Sequence, residues 1–249
     1  MKILSIGNSF SQDAQKWLSQ IAHSCSDEIY AVNLYIGGCA LETHWRNYVN
    51  QSEDYDLEIN GVFAEKISLN EALGLQEWDV ITFQQASPLC GDYSTYQPYL
   101  RNLMGVVREN CPNAKLYIHQ TWSYEVDCSL EAFDNYQRSQ SVMQQRLEEA
   151  YTQASREMEL PLIPCGDVIC YLRENMPEFD YQKGGLSLNR DGFHLSWIYG
   201  RYAAALVWYI VLAGGDPRAV RFVPTIEGET TDEALLDAIG QAVYAAMKR

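Results

Sequence analysis

The sequence predicts an α/β fold: a three-layer α/β/α sandwich around a central parallel sheet of five strands, with a small β-hairpin insertion. Three observations predict it. Short apolar runs suited to buried strands alternate with longer segments of helical spacing. Strands joined through helices form a parallel sheet whose right-handed crossovers cover both faces. The 249 residues suffice for one domain, spanning 1–249, with a sizeable core.

The elements follow in order. Lys2–Ile6 is apolar and ends at Gly7, which suits a buried first strand. Across Asp13–Ala22, Trp17, Leu18, Ile21 and Ala22 share one helix face. Ile29–Ile36 is rich in β-formers and stops at Gly37-Gly38. Asp56–Ile59 and Val62–Ile67 flank Asn60-Gly61, a strong hairpin signal. This hairpin is expected as an insertion near the cleft. Ser68 and Glu71 have the spacing of a capping box. Trp78–Phe83 is the third strand and runs into Gln84-Gln85. Pro98–Asn110 is helical, and Lys115–Gln120 is the fourth strand. Ser129–Met158 reads as one long polar helix or two. Leu160–Ile163 is a short fifth strand, and Cys165–Asn175 a short helix. Beyond a loop from Met176 to Arg190, helices are expected from about Leu195 to Ala213 and from near Thr231 through Ala246. Thr230 and Glu233 are capping candidates for the last one.

Bulk properties narrow the function. A net charge of −15 repels phosphate backbones and anionic membranes, so no nucleic-acid or membrane partner is expected. A small neutral or weakly polar substrate fits better. The 17 Tyr and 6 Trp suit core packing, and would suit sugar rings if any line a cleft. Seven cysteines with no CxxC pair suggest neither a zinc site nor a disulfide framework. The start MKILSIGNSF lacks the long apolar stretch of a signal peptide. The apolar segment Ile198–Ala213 is too short to span a bilayer and carries Arg201. It reads as a buried core helix, and a cytoplasmic location is expected.

In an open parallel sheet, ligands bind beyond the carboxyl ends of the strands. Strand one ends in Gly7-Asn8-Ser9-Phe10-Ser11, where Ser9 is either a nucleophile at the sheet's mouth or a helix cap. Gly38, after strand two, offers a backbone amide to a substrate or is an ordinary turn. Gln84, Gln85 and Ser87 follow strand three, where side-chain amides could line a polar pocket and donate to an oxyanion. His119, at the end of strand four, lines the same pocket or is a structural histidine. Asp191 precedes His194 by three residues, close enough to hydrogen-bond Nδ1 and leave Nε2 as a general base. A metal pair is the rival reading, but no further ligands cluster with it. No metal or other cofactor is expected.

The blocks GNSFS, QQAS and DGFHLS, the last followed by G-x-Y, resemble the SGNH (GDSL-like) hydrolase superfamily, and within it the DUF4886 type. The resemblance spans Lys2 to about Gly214. It implies a flavodoxin-like sandwich and a serine esterase with Ser9 as nucleophile and Asp191 and His194 as its partners. It also implies Gly38 as a backbone oxyanion donor. The family's usual Gly-Asp-Ser is here Gly-Asn-Ser, and its third-block asparagine is missing. Gln85 is the expected replacement, with Gln84 or Ser87 as alternatives. Relatives of this type often remove O-acetyl groups from carbohydrates. An acyltransferase using the same triad, or a carbohydrate-binding protein on the same fold, are the competing expectations.

Overall fold

Seven strands form: β1 (Lys2–Gly7), β2 (Tyr30–Tyr35), β3 (Tyr55–Ile59), β4 (Val62–Ile67), β5 (Val80–Phe83), β6 (Lys115–His119) and β7 (Leu162–Ile163). In the computed structural model, which describes residues 1–249, they make one sheet in the order β4-β3-β2-β1-β5-β6-β7. Pairing is parallel from β2 through β1, β5 and β6 to β7. It is antiparallel at β2–β3 and β3–β4. The expected five-stranded parallel sheet is therefore corrected to a mixed seven-stranded one.

The two added strands are the hairpin, and its place is also corrected. It is no appendage at the cleft but the edge of the sheet. Asn60 and Gly61 take φ of 50° and 76°, the left-handed conformations of a type I′ turn. Tyr35 lies opposite Asp56, and Val32 opposite Ile59. The turn thus sits beside the start of β2, at the end of the sheet opposite the strand carboxyl termini. An Asn-Gly pair specifies a tight turn but not which edge the ribbon will join. Here β2 would otherwise leave a row of backbone groups unpaired, and the hairpin satisfies them.

The helices are α1 (Ser9–Gln15), α2 (Leu18–Ser24), α3 (Leu41–Asn50), α4 (Leu69–Gly74), α5 (Tyr99–Asn110), α6 (Gln140–Met158), α7 (Cys165–Asn175), α8 (Tyr199–Ala213) and α9 (Glu233–Ala246). From β1 the chain moves first toward β2 and later, through β5, toward β6. Right-handed crossovers made in opposite directions fall on opposite faces. Helices α1 and α2 accordingly pack with α8, while α3, α4 and α5 pack together. The reversal makes β1 the topological switch point, the place where open α/β sheets bind their ligands.

Local signals explain most boundaries. The Ser68 capping box forms, with Ser68 Oγ accepting from Glu71 N and Glu71 reaching back to Ser68 N. Of the one helix or two predicted over Ser129–Met158, a short 3₁₀ helix forms at Glu131–Tyr136 and the α-helix begins only at α6. Gln137 and Arg138 adopt positive φ, and Ser139 caps the helix through Val142 N. Asp232, not Thr230, caps α9, accepting from Ala234 N and Leu235 N. Helix α8 is buried along most of its length, as its apolar sequence predicts. No helix is long and apolar enough to cross a membrane.

One buried carboxyl on α7 gives a stability prediction. Burial pushes Asp167 up to about 6, against hydrogen bonds from Gln120 and Gln144 that favour its charged form. The folded chain then holds a proton that the unfolded chain has lost between about pH 4 and 6, so stability falls as pH rises through that window. Asp167→Asn keeps an acceptor for both glutamines. It is expected to stabilise the fold by roughly 1–3 kcal/mol at pH 7 and to have little effect at pH 3.5, since neutral Asp and Asn then match. Urea unfolding at the two pH values checks this; an equal effect at both would refute it.

Candidate active site

The turn from β1 into α1 is closely packed. Asn8 caps α1: its Oδ1 accepts from Phe10 N at 2.9 Å, and its own N–H donates to Ser11 Oγ at 3.0 Å. A β-carbon on Gly7 would lie 2.0 Å from Ser11 Oγ, so only glycine lets the helix come down this closely. Gly7→Ala should destabilise the chain by about 1–3 kcal/mol and disturb the Ser9 turn. A denaturant midpoint equal to the parent's would contradict the packing argument. Ser9, 9% exposed, is the first residue of α1, and its N–H has no acceptor within the helix.

Beneath α1 the sheet is polar. Ser11 Oγ donates to Asn33 Oδ1 at 2.7 Å, and Asn33 Nδ2 donates to the buried Glu58 at 3.0 Å. Gln12 also donates to Glu58. Further along, Gln15 Nε2 donates to Ser5 Oγ at 2.6 Å, and Ser5 shares a hydrogen bond with Thr82. The helix carrying Ser9 is thus seated on directional contacts to β1, β2 and β3, with Ser5 passing the link on to Thr82 of β5.

The structure brings Asp191 and His194 together. His194 Nδ1 lies 2.7 Å from Asp191 Oδ2, while Asp191 Oδ1 accepts from the backbone amides of His194 at 2.7 Å and Phe193 at 3.2 Å. Burial alone would raise the Asp191 carboxyl. The hydrogen bonds from His194 and the two amides outweigh it and hold the group below its usual range. Gly192 turns this segment with φ of 87°, 3.0 Å from Cys128 Cα as measured to a virtual β-carbon. His194 sits in an aromatic collar: Phe193 at 4.0 Å and Phe10 at 6.1 Å, ring centre to ring centre. Phe10, next to Ser9 in the chain, stacks on Trp122 at 4.4 Å. Trp122 Nε1 in turn donates to Phe193 O at 2.8 Å. His194 is therefore beside the Ser9 turn, with no hydrogen bond yet joining it to Ser9 Oγ.

A buried ion cluster binds the two segments to each other, and sequence reasoning missed it. Asp13, one turn after Ser9 and 0% exposed, accepts from Leu195 N at 2.8 Å. It also accepts from Arg190 Nη1 at 3.0 Å and from Arg201 Nε at 2.7 Å. Arg190 contacts Leu195 O through its guanidinium, and its backbone N–H donates to His194 O. Trp197 stacks against both guanidinium groups, at 4.1 and 4.3 Å. The residues on either side of the Asp191–His194 pair are thereby fixed to the helix that begins at Ser9.

The remaining predicted residues divide. Gly38 takes φ of 64° with open space beside it, and the neighbouring Cys39 O is held by Asn8 Nδ2 at 3.1 Å. Gln85 does not face this space. It is fully buried; its Nε2 donates to Thr95 O and Oγ1, and its Oε1 accepts from Leu41 N. Both amide hydrogens are engaged, which leaves none for an oxyanion in this arrangement. Gln84 points the other way, its Nε2 donating to Asn8 Oδ1 at 2.6 Å and its Oε1 meeting His119 Nδ1 at 2.8 Å. Ser87 pairs with Tyr124 OH at 2.8 Å. His119 is completely buried, against the edge of Trp208, and so does not line an open pocket. No group of three or more His, Cys, Asp or Glu gathers anywhere in a form that could hold a metal ion.

The larger clefts lie elsewhere, one of about 690 Å³ along α6, α7 and α9 and another of about 770 Å³ beside Met1 and His23. Ser9 instead follows the carboxyl end of β1 at the switch point of the sheet, with the His194 ring 6.1 Å from that of Phe10. A smaller polar pocket of about 270 Å³ borders Asp191 and is lined by Glu125, Ser129, Tyr181 and Asn189 among others.

Comparison with other proteins agrees with this architecture. No curated protein matches the chain. A DUF4886 family protein from Bacteroides uniformis is 32% identical in sequence, with a TM-score of 0.90 over 100% of this chain and 95% of its own. A protein assigned to the SGNH hydrolases, from Slackia heliotrinireducens, has 21% identity and a TM-score of 0.55 over 84% of this chain and 96% of its own. The acetyl xylan esterase AlAXEase has 14% identity and a TM-score of 0.55, over 85% of this chain and 100% of its own. These two share the fold, an α/β sheet with helices on both sides. The family profile of the domain of unknown function DUF4886 matches residues 2–238; the chain belongs to the DUF4886 family.

Proposed function

We propose that the protein is a serine esterase acting through Ser9, His194 and Asp191, with an O-acetyl group on a carbohydrate as its substrate class. The observation that carries this reading is the 2.7 Å Asp191–His194 contact standing beside the Ser9 turn at the switch point of the sheet. Asp191 fixes the imidazole with hydrogen on Nδ1, leaving Nε2 as the base. The SGNH and acetyl xylan esterase folds of its structural neighbours favour ester chemistry.

His194 takes the Ser9 proton as Ser9 Oγ attacks the ester carbonyl. The Ser9–His194 hydrogen bond closes with substrate in place, since catalytic contacts are often long in unliganded sites. The amides of Ser9 and Gly38 receive the oxyanion. Gln84, with one amide hydrogen beyond that given to Asn8, takes the place first expected of Gln85 as the third donor. His194 then protonates the departing alcohol, and water, activated by the same imidazole, releases the acid.

The test is to quench the protein during turnover of p-nitrophenyl acetate and of acetylated xylo-oligosaccharides, then map the adduct by peptide mass spectrometry. An acetyl group on Ser9 and free acetate in solution are expected. An adduct on another residue, or no turnover of any ester, would overturn the assignment. Transfer of the acetyl group to added sugar with no free acetate would instead favour an acyltransferase.

A further inference from the structure

The hydrogen bonds that run from His119 to the Ser9 turn can be assigned donor by donor, beginning with a group that has only one role. The Phe10 backbone N–H donates to Asn8, so the atom receiving it is Oδ1, and Asn8 Nδ2 donates to Cys39 O. Gln84 meets the same Oδ1 and must do so with Nε2. Its Oε1 then faces His119 Nδ1, which therefore carries the ring hydrogen. His119 Nε2 is left bare, buried and without a partner, with Trp208 and Trp122 at ring distances of 5.0 and 6.1 Å. Burial brings the ring down to about 3, so it is neutral at ordinary pH.

An orphaned buried nitrogen is unfavourable, and a leucine would fill the same space without one. What the imidazole supplies is direction. If Gln84 rotated by half a turn, its Oε1 would oppose Asn8 Oδ1. We infer that His119 is a positioning residue for oxyanion stabilisation: its Nδ1–H fixes Gln84, Gln84 fixes Asn8, and Asn8 holds the two loops that bear the Ser9 and Gly38 amides. The inference rests on the esterase reading above. Asn8 grips the first loop through Phe10 N and the second through Cys39 O, so one side chain sets the spacing between the two donors. Gln84 is aimed at the same place by the same link.

The experiment compares His119→Leu, which removes the donor, with His119→Asn, whose amide nitrogen stands near the lost Nδ1. His119→Leu is expected to lower kcat on p-nitrophenyl acetate by roughly 10- to 100-fold with KM nearly unchanged, less than the 10²–10³ of deleting a donor outright. His119→Asn should recover most of the loss. Nitrogen-15 NMR of the histidine ring in the unmodified protein gives a second measurement that needs neither variant folding nor activity. A protonated Nδ1 and bare Nε2 are expected from pH 8 down to pH 5. A protonated Nε2 would overturn the relay, and a His119→Leu protein with full kcat would overturn its role. An unmodified protein that turns over no ester, with Nδ1 protonated as described, would overturn the esterase reading and this role with it.

Discussion

Ser9→Ala is expected to lower kcat on p-nitrophenyl acetate by roughly 10⁴-fold or more, as removal of a triad nucleophile does, while leaving stability within about 0.5 kcal/mol. The two halves of this expectation have separate causes. Without Oγ no acyl-enzyme forms, and His194 has nothing to deprotonate except water. The amides that receive the oxyanion remain, so a residual rate above background is expected from them alone. Stability is spared because α1 is capped by Asn8 and seated through Ser11, Gln12 and Gln15. Steady-state kinetics and a urea titration on the same preparation check both halves. A variant that keeps a tenth of its parent's kcat would remove Ser9 from the chemistry, and one that unfolds easily would make it a structural residue.

Asp13→Ala should act in the opposite order, on stability first. Truncation leaves Arg201 and Arg190 buried without their anion, with Arg201 only 6% and Arg190 16% exposed in their side chains. Breaking a buried ion pair from one side costs about 3–5 kcal/mol, because the remaining charge stays uncompensated. The Leu195 N–H loses its acceptor as well. Activity should fall with it, since Leu195 follows His194 and donates its N–H to this carboxylate on the Ser9 helix. Asp13→Asn retains an acceptor for one of these donors and is expected to be milder. Urea unfolding of the three proteins decides the matter: a loss below about 1 kcal/mol for Asp13→Ala would mean that the arginines find other partners.

What the sequence makes legible here is what is encoded locally. The parallel strands are apolar runs, the Ser68 cap is a four-residue pattern, and Asp191 and His194 are three residues apart, so each can be read in one window. The Asn60–Gly61 turn is equally plain, but its direction depends on which sheet edge lacks a partner, and that is a property of the assembled sheet. Asp13 is illegible for a similar reason. Its partners Arg190, Leu195 and Arg201 lie far along the chain, and an aspartate in the second turn of a helix gives no sign of being buried. Gln84 and Gln85 stand side by side at the end of β5. The strand's alternation sends one toward Asn8 and the other toward Thr95, and nothing in their shared identity tells which faces the Ser9 turn. Helix α3 is poorly legible because two of its three buried residues, His44 and Asn47, are polar, so its buried face does not read as an apolar stripe.

The polar seat beneath α1 has a consequence for how the protein can change. A helix resting on leucines can slide or roll by a fraction of a turn and still find contacts nearly as good, which is how many folds absorb substitutions. A helix resting on Asn33, Glu58 and Ser5 has one setting, since any roll separates several donors from their acceptors at once. Change is then easier in the loops above the strand ends, while the floor beneath Ser9 resists single replacements and yields only to paired ones.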